Sequence, residues 1–181
     1  MADTFKRAGT WNSGYNPDQV DSFLTKAKSA YAGDDSLGID ETTVRSSAFQ
    51  WVRNGYDPRL VDAALDRLEA AFIQRRRARV MESEGEDAWL ETAYALAQTL
   101  YPRLLRPDGE KFADADGSGY AKADVDELMG RLADYFSGNS AMTSTALRSA
   151  IFDKARGAEA YSESVVDVYL DRAVTVLLAV E

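Results

Sequence analysis

The chain is predicted to be all-α, with about seven helices packed as a bundle. Three observations predict this. One helix-start motif occurs four times along 181 residues. Apolar residues behind it recur at steps of four, three and four, which is the spacing of one helix face. No stretch of useful length alternates apolar with polar residues as a half-buried strand would.

The motif has the template Gly-Tyr-x4-Val-Asp. It occurs at Gly14-Tyr15 with Val20 and Asp21, and at Gly55-Tyr56 with Val61 and Asp62. It returns at Gly119-Tyr120 with Val125 and Asp126, and at Ala160-Tyr161 with Val166 and Asp167, where Ala replaces the Gly. Four residues after each Val stands Leu24, Leu65, Met129 or Leu170, and two further on a base, Lys26, Arg67, Arg131 or Arg172. Tyr15 and Tyr56 lie 41 residues apart, as do Tyr120 and Tyr161, while the middle gap is 64. This spacing predicts a duplicated two-motif unit. The first pair would occupy 1–84, a connecting or core helix 85–105 and the second pair 106–181, all in one compact domain.

The elements follow in order. Asn16 is a good N-cap, with Pro17 at the first helical position, where its missing N–H is no loss. Tyr15 then precedes the cap and Val20 closes the first turn, the arrangement of a hydrophobic staple. Gln19 is placed to complete a capping box with Asn16, and Gly14 suits a tight turn that needs positive φ. Val20, Leu24, Ala27 and Tyr31 form the stripe to be buried, and Gly33 ends the helix. A helix over 40–54 should come next, with Val44, Ala48, Phe49 and Val52 apolar. Asp57-Pro58 repeats the cap at the second motif. The segment 83–105 contains a helix that is apolar nearly all round, including Leu90, Ala93, Tyr94 and Leu96, and stops near Pro102. Such a helix is expected at the centre of the core. Ala121 is a poor cap at the third motif, Gly138 ends that helix, 143–156 mirrors 40–54, and Ser162 caps the fourth. The Asp at 21, 62, 126 and 167 is expected to favour the helix dipole and to tie its loop down by a hydrogen bond or ion pair. The alternative is a charged contact with a partner.

Composition narrows function. Acidic residues number 30 against 21 basic, a net charge of −9, which argues against nucleic acid because phosphates demand a basic face. Histidine and cysteine are both absent, which removes disulfides, thiolate chemistry, the commonest general base and the commonest zinc ligand. Four equivalent acids do not resemble one active site, so no enzyme activity and no cofactor are expected. With no run of eighteen apolar residues and no signal-like N-terminus, the expected location is the cytoplasm, or the inner face of the membrane.

Gly-Tyr-x4-Val-Asp-x2-Leu preceded by Phe resembles the DivIVA-domain signature. Its tandem use is similar to DivIVA-domain repeat proteins of the actinobacterial type. Gly55-Tyr56-Asp57-Pro58-Arg59-Leu60-Val61-Asp62 stands near the family consensus. The resemblance implies a non-catalytic scaffold or protein-interaction protein in bacterial cell division, polar growth or envelope assembly, with partners in that machinery. It leaves homo-oligomerisation and membrane association open. DivIVA proteins carry the motif region as a membrane-seeking head on a parallel coiled coil. Here Phe5, Phe49, Phe112 and Phe152 precede their Tyr by seven to ten residues and no long heptad segment follows. Those Phe are therefore expected in the core, with the repeats packed on each other.

Two further features are candidate sites. Asp114, Asp116, Ser118 and Gly119 match the opening of an EF-hand loop, although the twelfth position is Val125, where a bidentate Glu is needed. The alternative function is thus a calcium-binding, EF-hand-like regulatory protein acting through 114–126. Arg75, Arg76, Arg77 and Arg79 form the one concentrated basic run. It reads either as a solvated helix end favoured by the dipole or as a docking site for acidic protein or lipid headgroups.

Overall fold

The computed structural model describes residues Thr4–Glu181. Contacts divide the chain into two compact units, one ending at Arg79 and the other Val80–Glu181. The chain is mostly helical, but the all-α expectation needs correction because short antiparallel sheets join the motifs.

In the first unit β1 (Ser13–Tyr15) leads into α1 (Pro17–Ala32), followed by α2 (Glu41–Arg45), β2 (Trp51–Arg53) and α3 (Pro58–Ser83), whose last four residues fall past the unit's end. Asn16 caps α1 as expected, its side-chain oxygen accepting from the Asp18 and Gln19 amides at 3.0 and 3.3 Å. Asp57 does the same at the start of α3, accepting from the Arg59 amide at 3.1 Å. The expected helix over 40–54 is a single turn. Ser46 and Ser47 turn their hydroxyls back onto the Thr42 and Val44 carbonyls and end it. The chain then extends, and β2 pairs antiparallel with β1 in the register Ser13↔Arg53, Gly14↔Val52 and Tyr15↔Trp51.

Two apolar clusters hold this unit. One joins Val20, Tyr56 and Val61 with Phe5, Tyr15, Leu24, Phe49 and Leu65 packed against it. The other joins Ala27, Ala30, Val44 and Phe72. Each fully buried Val contributes about 1.5–3 kcal/mol. The expected stripe of α1 fails at its end. Tyr31 is exposed, edge-on to Phe72 at 5.6 Å, and Ala30 takes the buried place.

The second unit contains α4 (Glu86–Gln98), α5 (Tyr101–Leu104), β3 (Ser118–Ala121), α6 (Lys122–Phe136), α7 (Ser144–Arg148), β4 (Lys154–Arg156), β5 (Ala160–Tyr161) and α8 (Glu163–Val180). The segment 85–105, expected as a connecting or core helix, lies within this unit. Its helix is interrupted after Gln98, and Pro102 sits in the first turn of α5, where its missing N–H is tolerated. One face of α4 packs on α8, with Trp89 donating from its indole nitrogen to the Ala179 carbonyl at 2.9 Å. The flank beside that face is open, so the expectation of burial all round is also corrected: Leu90 and Tyr94 are exposed. The expected helix over 143–156 is again one turn followed by a strand. β3 is the middle strand, with β4 in the register Ser118↔Arg156, Gly119↔Ala155 and Tyr120↔Lys154, and β5 on its other side. α6 and α8 start at the third and fourth motifs, but neither Ala121 nor Ser162 makes a side-chain cap bond. Among the described residues no helix is long and apolar enough to cross a membrane.

Candidate functional site

The motif glycines work differently from expectation. None of Gly14, Gly55 and Gly119 has positive φ. They are required because backbone approaches backbone. A Cβ on Gly14 would stand under 3 Å from the Tyr56 carbonyl, and one on Gly119 under 3 Å from the Tyr161 carbonyl. This closeness brings the two tyrosines of each unit side by side, in the bridges Tyr15↔Tyr56 and Tyr120↔Tyr161.

Each tyrosine then reaches the aspartate of its neighbouring motif. The Tyr56 hydroxyl donates to Asp21 at 2.9 Å, while that of Tyr15 donates to Asp62. In the second unit Tyr161 donates to Asp126 at 2.9 Å, and Tyr120 to Asp167. The bonds therefore cross between motifs. They are not equal in burial. Tyr56 and Tyr161 are fully enclosed, whereas Tyr15 and Tyr120 are half-buried. Asp126 is also buried and accepts a second bond from the Gly109 amide at 2.6 Å.

The residues before each unit's first motif complete the enclosure. Phe5 stands edge-on to Tyr56 and Phe112 edge-on to Tyr161, both at 5.4 Å. The Thr4 amide donates to the Tyr56 hydroxyl at 3.0 Å, and the Lys111 amide to that of Tyr161 at 3.1 Å. Gln19 does not close a capping box. Its side-chain oxygen accepts from the Gln50 amide at 2.8 Å, while the Asn16 amide donates to the Gln50 carbonyl at 2.8 Å. Asp124 and Ala121 hold Asp153 in the same way, both at 2.8 Å.

This environment shifts four of the titratable groups. Burial, and then the neighbouring Asp126, push the Tyr161 hydroxyl up to about 12. Burial raises Tyr15 and Tyr120 as well, helped by Asp62 and Asp167. Asp62 is raised chiefly by its own desolvation, against the lowering effect of the Tyr15 hydroxyl. A hydroxyl that keeps its proton and donates a hydrogen bond to a carboxylate oxygen forms a latch. Every motif Val lies fully buried beneath it, at positions 20, 61, 125 and 166.

The other candidates are placed less favourably for their expected roles. Asp114 pairs with Lys122 at 2.6 Å, and that amine also donates to the Gly109 carbonyl at 2.9 Å. Asp116 is exposed, Ser118 lies in β3, and Val125, at the position that would need a chelating Glu, is enclosed in the core. Among the described residues no group of three or more carboxylates gathers as a metal would require. In the basic run, Arg75 donates to the Ala30 carbonyl at 2.6 Å, Arg76 pairs with Glu41 at 2.8 Å and Arg79 with Asp35 at 3.4 Å. Those three arginines clasp α3 to the end of α1, the start of α2 and the turn between them. Arg77 is half-buried beside them.

No protein-family model matches the chain, and no curated protein or solved structure matches it either.

What sequence reasoning missed is mostly tertiary. The crossing of Tyr to the other motif's Asp had a signal, since both residues occur in all four copies at one spacing. The Arg45–Glu69 pair, with Nε to Oε1 at 2.8 Å and Glu69 buried, had none.

Proposed function

We propose that the chain is a non-catalytic interaction module of the DivIVA-domain repeat kind, built by duplication of a two-motif unit. It would act as a scaffold in bacterial cell division, polar growth or envelope assembly, on the cytoplasmic side. One observation carries this reading. Tyr, Asp, Gly and Val of the motif are consumed in the same crossed latch in 13–62 and in 118–167. Side chains committed to each other in this way hold a shape and leave recognition to the surface. The strands before the second and fourth motifs support the duplication, since each pairs antiparallel with the Ser-Gly-Tyr of the preceding motif and begins two residues after Phe49 or Phe152.

A fluorescent fusion expressed in an actinobacterial host tests the cellular role. The expected result is enrichment at poles or septa, with recovery of division or elongation proteins on affinity capture. A diffuse fusion, or capture of a metabolic complex, would reject the proposal.

A further inference from the structure

A helix at a surface normally turns polar residues outward. α4 does not. Its inner face buries Trp89 and Ala93, and the flank next to that face carries Leu90, Tyr94 and Ala97, with Tyr101 beyond at the next helical step. Leu90 is 50 % exposed, Tyr94 65 % and Tyr101 36 %. These side chains form one wall of an open groove whose other wall includes Phe136, Val176 and Val180. The stripe extends over about three helical turns, the length and spacing that a second helix laid along it would engage.

Charge decides what kind of helix fits. The charged groups lining the groove are Asp87 and Glu91, and no Lys or Arg lines it. A second copy of the chain would bring these carboxylates toward each other, on a molecule already carrying −9. We propose that the groove receives an amphipathic helix of another protein, with Lys or Arg flanking its apolar stripe. Leu90 and Tyr94 supply the central contact, and Asp87 and Glu91 select the basic flank. The proposal deepens the interaction-module reading and rests on it for biological meaning, while binding at the groove is measured separately from cellular location.

The probe is a labelled synthetic peptide of about five helical turns, with Leu on one face and Lys beside it. Its binding to the full chain is followed by fluorescence anisotropy. The wild type should bind it, with affinity about tenfold weaker for Tyr94→Ser and for Glu91→Lys, and about tenfold weaker for a peptide with Glu in place of Lys. Circular dichroism checks that the variants fold, and Glu91→Lys, an exposed charge change, gives the answer should Tyr94→Ser not fold. Equal binding by all three proteins, or none by the wild type, would overturn the proposal. So would light scattering that shows a dimer of the free chain abolished by Tyr94→Ser, because the occupant would then be a second copy. A diffuse cellular fusion alongside intact peptide binding would reject the division role and leave the groove assignment standing.

Discussion

Replacing Gly119 with Ala adds one methyl group at the tightest approach in the second unit. That methyl would lie under 3 Å from the Tyr161 carbonyl oxygen and from the Ala115 Cβ. Neither neighbour is the loose end of a side chain, so the strand carrying Tyr161 must retreat by roughly 1 Å to restore contact distance. That strand also holds the Tyr161 ring against Phe112 and its hydroxyl on Asp126. Overpacking of this kind costs about 1–3 kcal/mol, and weakening one enclosed hydrogen bond adds about 1 kcal/mol. The expected loss is about 3 kcal/mol, or a fall in melting temperature on the order of 15 °C if this unit melts as one. Gly130, in the middle of α6, is the internal control, because nothing lies within 4 Å of a Cβ added there. Gly130→Ala should stabilise the protein by about 0.5–1 kcal/mol through helix propensity. Urea titration followed by circular dichroism measures both. If Gly119→Ala matched the wild type within about 0.5 kcal/mol, the close-approach account of the motif glycine would fail.

Three other outcomes follow from the same geometry. Asp126→Ala strips acceptors from the buried Tyr161 hydroxyl and from the Gly109 amide and should cost about 3 kcal/mol, whereas Asp62→Ala, at an exposed carboxylate, should cost about 1 kcal/mol. Similar losses for the two in chemical denaturation would contradict the burial difference. Tyr161 keeps its proton up to about 12 in the folded chain, while the unfolded chain ionises from the ordinary value of 10. Its contribution is therefore complete below pH 10 and is lost as pH rises toward 12, to a total of about 3 kcal/mol. Tyrosinate absorbance with parallel denaturation should show this slope, reduced in Tyr161→Phe; an unchanged slope would assign it to other groups. Arg45→Met leaves the buried Glu69 carboxylate without its guanidinium and should cost about 3 kcal/mol, while Arg59→Ala, which removes a solvent-exposed guanidinium from Asp57, should leave stability close to that of the wild type. Calorimetry that ranked the two variants the other way would refute the burial argument.

Helix starts were legible in the sequence because capping is local. Asn16 with Pro17 and Asp57 with Pro58 contain all the atoms their caps need, and both helices begin there. The strands were not legible. A strand of three residues, such as Trp51–Arg53, is too short to show a period of two, and its pairing depends on Ser13–Tyr15 far away in the chain. Local rules predicted a capping box for Gln19, but a distant amide, that of Gln50, competed successfully for its side chain. The glycines were recognised as special for the wrong reason, since a close approach between segments 41 residues apart has no local signature. Tyr, Val and Asp were all found as candidates. Which Tyr meets which Asp was hidden until the two motifs faced each other. The composition of α4 signalled burial truthfully for one side only, and the open side supplies the groove.

The crossed latch also sets a rule of assembly. Because each hydroxyl finds its carboxylate in the neighbouring motif, half of a unit has a donor and an acceptor that cannot satisfy one another. A fragment severed between Asp21 and Gly55 would leave both pieces incomplete, and they could recover only by meeting again, whether or not a peptide chain still joined them. Cutting within a unit therefore breaks both of its Tyr–Asp bonds, whereas a cut between units breaks neither.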